Sequence, residues 1–302
     1  MTAAIKAKAL ELGYSSCGII PAEAFTEFER ALEERIQTFP ESKERYEWQR
    51  GKGTPPENAK SIIVCVCGYN HYKFPGKMTE HFGKYYLAHS SVPYSPGFRM
   101  KAEFEAFLQV SGLRIINFAE PPARWAAVKA GLGKFSRNNF FYTNENGSYN
   151  GIDVWTVDAE LDYDSWDGNA LMPGCTENCR KCIDACPTKA MSGDFAMDCG
   201  KCVAFLMFAN VQKSAETEAM MGRWLYGCDA CQDVCPLNKG KLTEEAEFPL
   251  LAQYQDYVTP EAILAMDEET FANIMYPRFP RAGKDGFVKW KDNAKRAVKN
   301  KN

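Results

Sequence analysis

Nine of the twelve cysteines in this chain fall between residues 175 and 235, at spacings that suit metal binding. The two arms of this segment read Cys175-x3-Cys179-x2-Cys182-x3-Cys186-Pro187 and Cys228-x2-Cys231-x3-Cys235-Pro236, with Cys199 and Cys202 between them. Such short steps let one loop wrap an inorganic cluster, and a cysteine directly before proline binds the other cluster where two are present. The spacing therefore predicts two [4Fe–4S] clusters whose ligands are exchanged between the arms.

Two such clusters need eight thiolates, and the segment supplies nine. The first cluster is predicted to take Cys175, Cys179, Cys182 and Cys235. The second is predicted to take Cys186, Cys202, Cys228 and Cys231, with Cys199 as an alternative to Cys202. Zinc sites and disulfide frameworks also use paired Cys-x2-Cys steps, but neither needs the Cys-Pro ending that both arms share. The x3 step after Cys175 departs from the x2 step usual in such clusters and lengthens that loop.

The composition is typical of a globular protein with a sizeable core: 302 residues, 45% of them hydrophobic. A formal charge of −3 argues against a surface that binds nucleic acid everywhere. The start of the chain lacks the apolar core of a signal peptide, and no run of about 18 apolar residues predicts a membrane span. Cysteine-rich chains without an export signal bind metal in the reducing cytoplasm, so we expect a cytoplasmic protein.

The elements that must position these cysteines alternate between helix and strand. Helices are predicted over 2–12, 23–36 and 99–110 and from Arg124 to Gly133, strands over 14–20, 61–68 and 113–118, and a hairpin over 142–158 that turns at 144–147. Further helices are predicted to begin at Thr259 and Asp267. The fold class is therefore α/β (α+β), with an α/β domain over 1–165, a smaller double-cluster domain over 166–245 and a helical tail over 246–302 packed on both.

Three features outside the cysteine segment have two explanations each. Cys17, Cys65 and Cys67 lie on predicted strands and are expected to pack in the core. The long aromatic stretch 69–98 is either a cap over a planar cofactor or a surface excursion with local packing. The basic stretch 278–301 is predicted to be a solvated terminal helix, with contact to RNA phosphates as the alternative.

Two blocks of the sequence resemble the corrinoid-dependent epoxyqueuosine reductases and their relatives, the reductive dehalogenases. The first block is Ala130-Gly-Leu-Gly133 with Asn138 and Gly147-Ser148; the second is Cys186-Pro-Thr-Lys-Ala190 with Tyr226-Gly-Cys-Asp-Ala-Cys-Gln-Asp-Val-Cys-Pro236 and Asn238. The second block is highly specific to the double-cluster domain of this family. The resemblance implies a nitroreductase-like α/β domain that binds cobalamin and a ferredoxin-like domain whose clusters reduce it.

The resemblance also implies which residues hold the cobalamin. They are Arg124, Gly131, Leu132, Gly133, Lys134, Phe135, Ser136, Asn138 and Ser148. Glycines at two of these positions would let the backbone approach the corrin closely. The alternative for Ala130-Gly-Leu-Gly133 is a helix end followed by a turn.

The chain departs from the family pattern where an acidic proton donor is expected. That position falls on Asn117; Glu120 is the nearest carboxylic acid, and Tyr94 stands near the place of the family's Asp-Tyr-His stretch, so these three are the candidate catalytic residues. Ser136 replaces the last glycine of the Gly-Leu-Gly-x-x-Gly pattern, and the helical-repeat extension of many tRNA-acting members does not follow. Because a carboxamide donates no carboxyl proton, tRNA is not expected as the substrate.

The sequence as a whole predicts an oxidoreductase that passes electrons through two clusters to cobalamin and reduces a small or corrinoid substrate. Its expected electron donor is a low-potential protein such as ferredoxin or flavodoxin. Two alternatives stay open. One is an electron-transfer or corrinoid-reactivating partner without substrate chemistry of its own, and the other is an epoxyqueuosine reductase with a relocated acid.

Overall fold

The computed structural model describes residues 1–93, 95–116, 121–173, 175, 178–193 and 196–300. Its strands are β1 (Ser16–Pro21), β2 (Ser61–Gly68), β3 (Tyr72–Lys73), β4 (Ile115–Ile116), β5 (Lys134–Phe135), β6 (Phe141–Tyr142), β7 (Asn150–Val157), β8 (Met191–Gly193), β9 (Ala196–Met197) and β10 (Ala246–Glu247). The predicted α/β class is confirmed.

The helices are short, apart from four. They are α1 (Thr2–Leu12), α2 (Thr26–Thr38), α3 (Lys43–Glu47), α4 (Gly76–Thr79), α5 (Lys84–Ala88), α6 (Pro96–Val110), α7 (Ala123–Lys129), α8 (Lys181–Asp184), α9 (Val203–Leu206), α10 (Ala215–Met221), α11 (Ala230–Asp233), α12 (Pro260–Ala265), α13 (Glu268–Thr270) and α14 (Phe287–Lys299). Short 3-10 helices span Pro40–Ser42, Cys199–Lys201, Pro236–Asn238, Ala252–Tyr257 and Pro280–Ala282, and a π-helical turn spans Phe271–Met275.

The chain divides into two compact units. The first unit comprises Met1–Tyr69, Arg99–Cys179 and Asp194–Ala196, and the second comprises Asn70–Phe98, Arg180–Gly193 and Met197–Asn302. This division differs from the predicted one, because the aromatic stretch 70–98 groups with the cysteine segment and because the tail after residue 246 forms one unit with that segment. Hydrophobic periodicity marks elements, but it does not show which distant segments a short loop packs against.

An antiparallel sheet in the order β1-β2-β7-β4 forms the centre of the first unit. Strand β2 is central and almost fully buried, as expected for a run of isoleucine and valine. On one face, residues such as Ile63 and Trp155 pack against α1 and α6 through Ile5 and Phe104. The other face packs against α7. Helices thus cover both faces of the sheet and bury a core on each.

Most of the predicted elements of the first unit are confirmed. The helix over 2–12 and the strand over 61–68 have the predicted bounds, and Gly13 ends α1 in the left-handed conformation with φ +103°. The strand predicted over 113–118 is shorter, with β4 covering Ile115–Ile116. Residues 117 and 118 lie outside the described part of the chain.

The predicted hairpin over 142–158 is wrong in its pairing. The turn forms, with Thr143 bridging to Gly147, but the two arms belong to different sheets. Strand β6 pairs with β5, whereas β7 pairs with β2 and β4. The apolar alternation of β7 is satisfied by the buried central strand β2, and this long-range pairing outweighs the local one.

An aromatic cluster forms the core of the second unit. Phe82 and Tyr226 are fully buried with ring centroids 5.5 Å apart, and Tyr226 also packs on Trp290 of α14 at 5.7 Å. The aromatic stretch 70–98 therefore supplies core residues to the unit that holds most of the cysteines. A surface excursion does not describe this packing.

The prediction of a solvated terminal helix is wrong for one face of α14. Trp290, Ala294 and Ala297 are at most 2% exposed, and Arg296 is 6% exposed. The Arg296 guanidinium donates hydrogen bonds to the carbonyl oxygens of Gly222 and Trp224. The number of basic residues in this stretch does not reveal the apolar residues of α14. These residues recur at helical spacing, and they bury one face of the helix. Across the part of the chain that the structure describes, none of the helices combines the length and the apolar character needed to cross a membrane.

Candidate functional site

Five cysteines lie close together in the second unit: the four predicted to hold the second cluster, and Cys182, which was predicted for the first. Cys182 and Cys186 are buried in one apolar cluster with Ile183 and Ala190, and Cys202 and Cys231 pack against that cluster. Cys228 interacts electrostatically with both Cys202 and Cys186. Short elements bring them there: Cys202 precedes α9, Cys231 lies in α11 and Cys186 follows α8.

The chemistry of these thiols fits an iron–sulfur cluster. Burial raises the pKa of Cys228 to about 12 and the pKa of Cys231 well above its usual value, and the neighbouring cysteines add to both shifts. Backbone N–H groups of Ala204 and Phe205 oppose a similar shift at Cys202 by hydrogen bonding to its sulfur. Thiolates that are costly to form in such a buried site are stabilised when they bind cationic iron.

Cys202 and its alternative, Cys199, lie in different surroundings. Cys202 packs against the apolar cluster that contains Cys182 and Cys186. Cys199 lies in the 3-10 turn before Cys202, where Asp198 accepts a hydrogen bond from the backbone N–H of Gly200. Cys202 as the ligand, with Cys199 as its alternative, stays a prediction from the sequence.

The residues predicted for the first cluster are divided between the two units. Cys175 and Cys179 belong to the first unit, whereas Cys182 and Cys235 belong to the second. Within the first unit, the Cys175 sulfur accepts hydrogen bonds from the Ser136 hydroxyl at 3.3 Å and from the Arg137 backbone N–H at 3.4 Å. Such donors stabilise a thiolate that binds metal and help to set the potential of a cluster.

The described residues contain no group of three or more His, Cys, Asp or Glu side chains arranged to hold a single metal ion. In a [4Fe–4S] cluster, by contrast, each thiolate binds a different iron atom, and the four ligands surround a larger body than one ion.

A cleft of about 440 Å³ lies in the first unit, and part of the predicted cobalamin set lines it. Four residues from that set are in its wall: Gly131, Leu132, Gly133 and Lys134. The remaining wall mixes polar and apolar groups, among them Asn144, Trp166, Asn169 and Met172. Amide and aromatic groups suit the amide-fringed rim of a corrin, and the volume is that of a pocket for part of so large a molecule.

Local backbone conformation and packing already require glycine at the two glycine positions of this wall. Gly131 follows α7 with φ +71°, and the N–H groups of Gly131 and Leu132 bond to the carbonyls of Val128 and Ala127, which is a Schellman helix end. A Cβ on Gly133 would lie 2.3 Å from the Tyr142 carbonyl oxygen. The alternative of a helix end followed by a turn therefore holds for this stretch, and the glycines alone do not require a cofactor.

The other residues of the predicted cobalamin set have partners within the first unit. Arg124 donates to the Asn139 carbonyl, the Asn138 amide donates to the Tyr142 hydroxyl at 2.9 Å, and the Phe135 ring packs on Trp125. Ser136 bonds to Cys175, as described above, and Ser148 is 1% exposed. These five positions lie outside the wall of the cleft.

A buried ion pair beside the second thiol set was not predicted from the sequence. Asp229, between Cys228 and Cys231, accepts hydrogen bonds from the Lys84 backbone N–H at 2.9 Å and from the Lys84 ammonium at 3.1 Å. Lys84 comes from the aromatic stretch 70–98. The signal available in the sequence was the carboxylate inside a Cys-x2-Cys step, which needs a cationic partner if it is buried.

The three candidate catalytic residues, Asn117, Glu120 and Tyr94, lie outside the described part of the chain. Their roles rest on the sequence.

Comparison with known proteins assigns the class of this molecule. Residues 175–238 match the model of a 4Fe-4S double cluster binding domain. The epoxyqueuosine reductase of Cellulophaga algicola is 30% identical over 246 residues, which are 78% of each chain. The protein is therefore an iron–sulfur protein of the reductase class, with two [4Fe–4S] clusters.

Solved structures share the fold. An epoxyqueuosine reductase crystallised with an epoxyqueuosine-modified tRNA-Tyr stem loop superposes with a TM-score of 0.76 at 23% identity, over 97% of this chain and 79% of that one. The Bacillus subtilis enzyme, with its aspartate catalytic loop swung out of the active site, gives a TM-score of 0.72 at 24% identity over the same shares. The chain belongs to the epoxyqueuosine reductase family.

Proposed function

We propose that this protein is a corrinoid-dependent iron–sulfur reductase that acts on a small or corrinoid substrate and reduces epoxyqueuosine in tRNA poorly. The observation that carries the proposal is the gathering of five thiols in the second unit, which are Cys182, Cys186, Cys202, Cys228 and Cys231. We assign the second cluster to Cys186, Cys202, Cys228 and Cys231. We assign the first cluster to Cys175, Cys179, Cys182 and Cys235.

The chain's own residues would hold both kinds of cofactor. The Cys175 sulfur already accepts two hydrogen bonds, which would stabilise the negative charge of a bound cluster there. Gly131, Leu132, Gly133 and Lys134 would bind part of a cobalamin in the cleft that they line. Lys134 itself is held in place by Asp167 at 2.7 Å. When bound, cobalamin would supply a strongly nucleophilic reduced cobalt, to which the clusters deliver electrons.

The substrate part of the proposal depends on Asn117. In the family that this chain resembles, the equivalent position carries an acid, and the solved Bacillus subtilis enzyme has an aspartate catalytic loop. A neutral carboxamide at this position has no carboxyl proton to give to a leaving oxygen. A substrate whose reduction needs no such proton, such as another corrinoid or a small molecule with a good leaving group, suits this chain better.

A second candidate function is reduction of epoxyqueuosine in tRNA with another residue as the acid. The relatives at about 30% identity favour it, because they are epoxyqueuosine reductases, and one solved neighbour binds a modified stem loop. Glu120 is the carboxylic acid nearest in sequence to Asn117. In this alternative the Glu120 carboxyl replaces the missing proton donor.

The test is turnover of an epoxyqueuosine-modified stem loop by protein that has been reconstituted anaerobically with iron, sulfide and cobalamin. We expect the wild-type protein to be at least tenfold slower than the Asn117→Asp variant, since a positioned general acid contributes about 10²–10⁴-fold. Retention of the corrin absorption bands after gel filtration is measured on the same samples, and it reports cobalamin binding independently of activity.

Wild-type turnover equal to that of Asn117→Asp would overturn the substrate proposal. If Glu120→Gln then abolished the activity, the second candidate would replace it. Loss of all corrin bands from protein with full cluster content would instead favour an electron-transfer partner. The matched control for Glu120→Gln is Glu34→Gln, which makes the same change on the exposed surface of α2.

A further inference from the structure

The buried pair Lys84–Asp229 holds two opposite charges at the loop that carries two of the assigned cluster ligands. The Lys84 side chain is 15% exposed and the Asp229 side chain 3% exposed, with 3.1 Å between the ammonium and the carboxylate. Lys84 also lies 3.2 Å from Asp233 at the other end of α11. Burial alone would lower the pKa of Lys84, but the two carboxylates outweigh it and raise that pKa. Lys84 therefore places a cationic side chain against the Asp229 carboxylate at this loop.

The backbone fixes the position of this charge as well. The N–H of Gly83 bonds to the Tyr226 carbonyl at 2.8 Å, and the N–H of Lys84 bonds to the Asp229 carboxylate. A Cβ on Gly83 would lie 2.9 Å from Asp229 Oδ1 and 3.0 Å from the Cys228 nitrogen. Segment 82–84 therefore runs directly along the ligand loop, and Lys84 has little freedom to leave it.

Both charges of this pair lie at the ligand loop. Asp229 directly follows Cys228 and stands two residues before Cys231, and the Lys84 ammonium lies 3.1 Å from its carboxylate. Charges interact strongly where water is excluded, and net charge near a cluster helps to set its reduction potential. An added electron makes a cluster more negative, so a nearby cation favours the reduced state and a nearby anion disfavours it.

We propose that Lys84 is a positioning residue that sets the reduction potential of the cluster held by Cys186, Cys202, Cys228 and Cys231, by compensating the buried charge of Asp229. The inference rests on the proposed cluster ligands. Each cluster takes up one electron, from the physiological donor or from dithionite in a titration, and Lys84 and Asp229 change the free energy of that step without giving or taking the electron.

The test compares Lys84→Met, Asp229→Asn and the double variant with the wild-type protein after anaerobic reconstitution. Iron and sulfide content are measured first, followed by dithionite titration monitored by electron paramagnetic resonance. We expect one of the two reduction steps to shift to lower potential in Lys84→Met and to higher potential in Asp229→Asn. In the double variant the potential of the shifted step should return close to its wild-type value. The reduction step of the other cluster should shift less in all three variants.

The control is Lys77→Met, also in the aromatic stretch 70–98. It removes an exposed ion pair, in which the Lys77 ammonium lies 2.6 Å from the Asp256 carboxylate, and it should shift neither reduction step. Loaded clusters with unshifted potentials, shifts of the same sign in both single variants, or loss of iron without any shift would each overturn the inference and assign the pair a structural role only. Failure of the wild-type protein to bind iron would instead overturn the proposed function.

Discussion

Cysteines occupy two kinds of place in the described part of this molecule. Cys17, Cys65 and Cys67 lie on strands of the central sheet, whereas the cysteines of the segment 175–235 lie in loops and short helices. Cys17 and Cys65 face each other across the antiparallel pair β1–β2, and Cys67 lies two residues further along β2. Cys65 is completely buried, and burial raises its pKa well above the usual value. Burial also raises the pKa of Cys228 and of Cys231, but these two converge with Cys186 and Cys202 from separate elements.

The difference between the two sets lies in geometry more than in burial. A strand sends alternate side chains to opposite faces, so Cys65 and Cys67 share a face that already packs against α1 and α6. Loops and helix ends have no such fixed direction, and several of them can aim at one point. A buried thiol in a strand is a small core residue, whereas buried thiols at converging loop ends form a ligand set.

Replacing each of the two candidate ligands, Cys202 and Cys199, by alanine should give the largest difference, and it is measured as iron content. Cys202→Ala should lower the iron content from about eight to about four atoms per chain, because it removes a ligand of the second cluster. Cys199→Ala should leave it near eight. Iron and acid-labile sulfide are measured after anaerobic reconstitution, together with the visible absorption of the clusters.

The opposite result would reverse the assignment. If Cys199→Ala lost half of the iron and Cys202→Ala lost none, the 3-10 turn before α9 would have to move on cluster binding. Equal losses in both variants would mean that the turn as a whole, and not one sulfur, is needed at the site.

A glycine next to the ligand loop should give the next largest effect. Gly227 has φ +81°, and an added Cβ would lie 2.2 Å from the Tyr86 ring. We expect Gly227→Ala to destabilise the protein by about 3–4 kcal/mol, from about 1–2 for the left-handed backbone and the rest from overpacking. Urea unfolding followed by circular dichroism measures the change.

Gly240 provides the matched control for Gly227. It has a similar φ of +71° but no atom within 4 Å of an added Cβ, so Gly240→Ala should destabilise by only about 1–2 kcal/mol. Equal effects of the two substitutions would show that the Tyr86 contact contributes nothing. The aromatic stretch would then be less tightly packed on the ligand loop than the distances indicate.

The sequence predicts the first unit better than the second, for a physical reason. Strand β2 and helix α1 have a strong period of their own, so their bounds follow from local pattern. In the second unit, the caps Thr259 and Asp267 are equally local, and both accept the expected backbone hydrogen bonds, from Ala262 and Thr270. Such features need no knowledge of distant contacts.

The second unit depends on contacts between distant segments, which a local pattern does not carry. Cysteine spacing finds the double-cluster domain, because the ligands are close in sequence. The pairing of Lys84 with Asp229 spans 145 positions, and the bonds from Arg296 to Gly222 and Trp224 span more than 70. Nothing in the neighbourhood of these residues marks their partners, so they emerge only when the chain is folded.

The smallest expected effect concerns the strand cysteines. Cys65→Ala should destabilise the protein by about 1 kcal/mol, since it removes one buried atom from a well-packed core, and it should leave the iron content unchanged. Cys17→Ala, at a half-buried position on the facing strand, should have a smaller effect. Loss of iron from Cys65→Ala would contradict the comparison, because a cysteine on a core strand would then contribute to metal binding as the loop cysteines do. Urea unfolding and iron analysis on the same preparations distinguish the two outcomes.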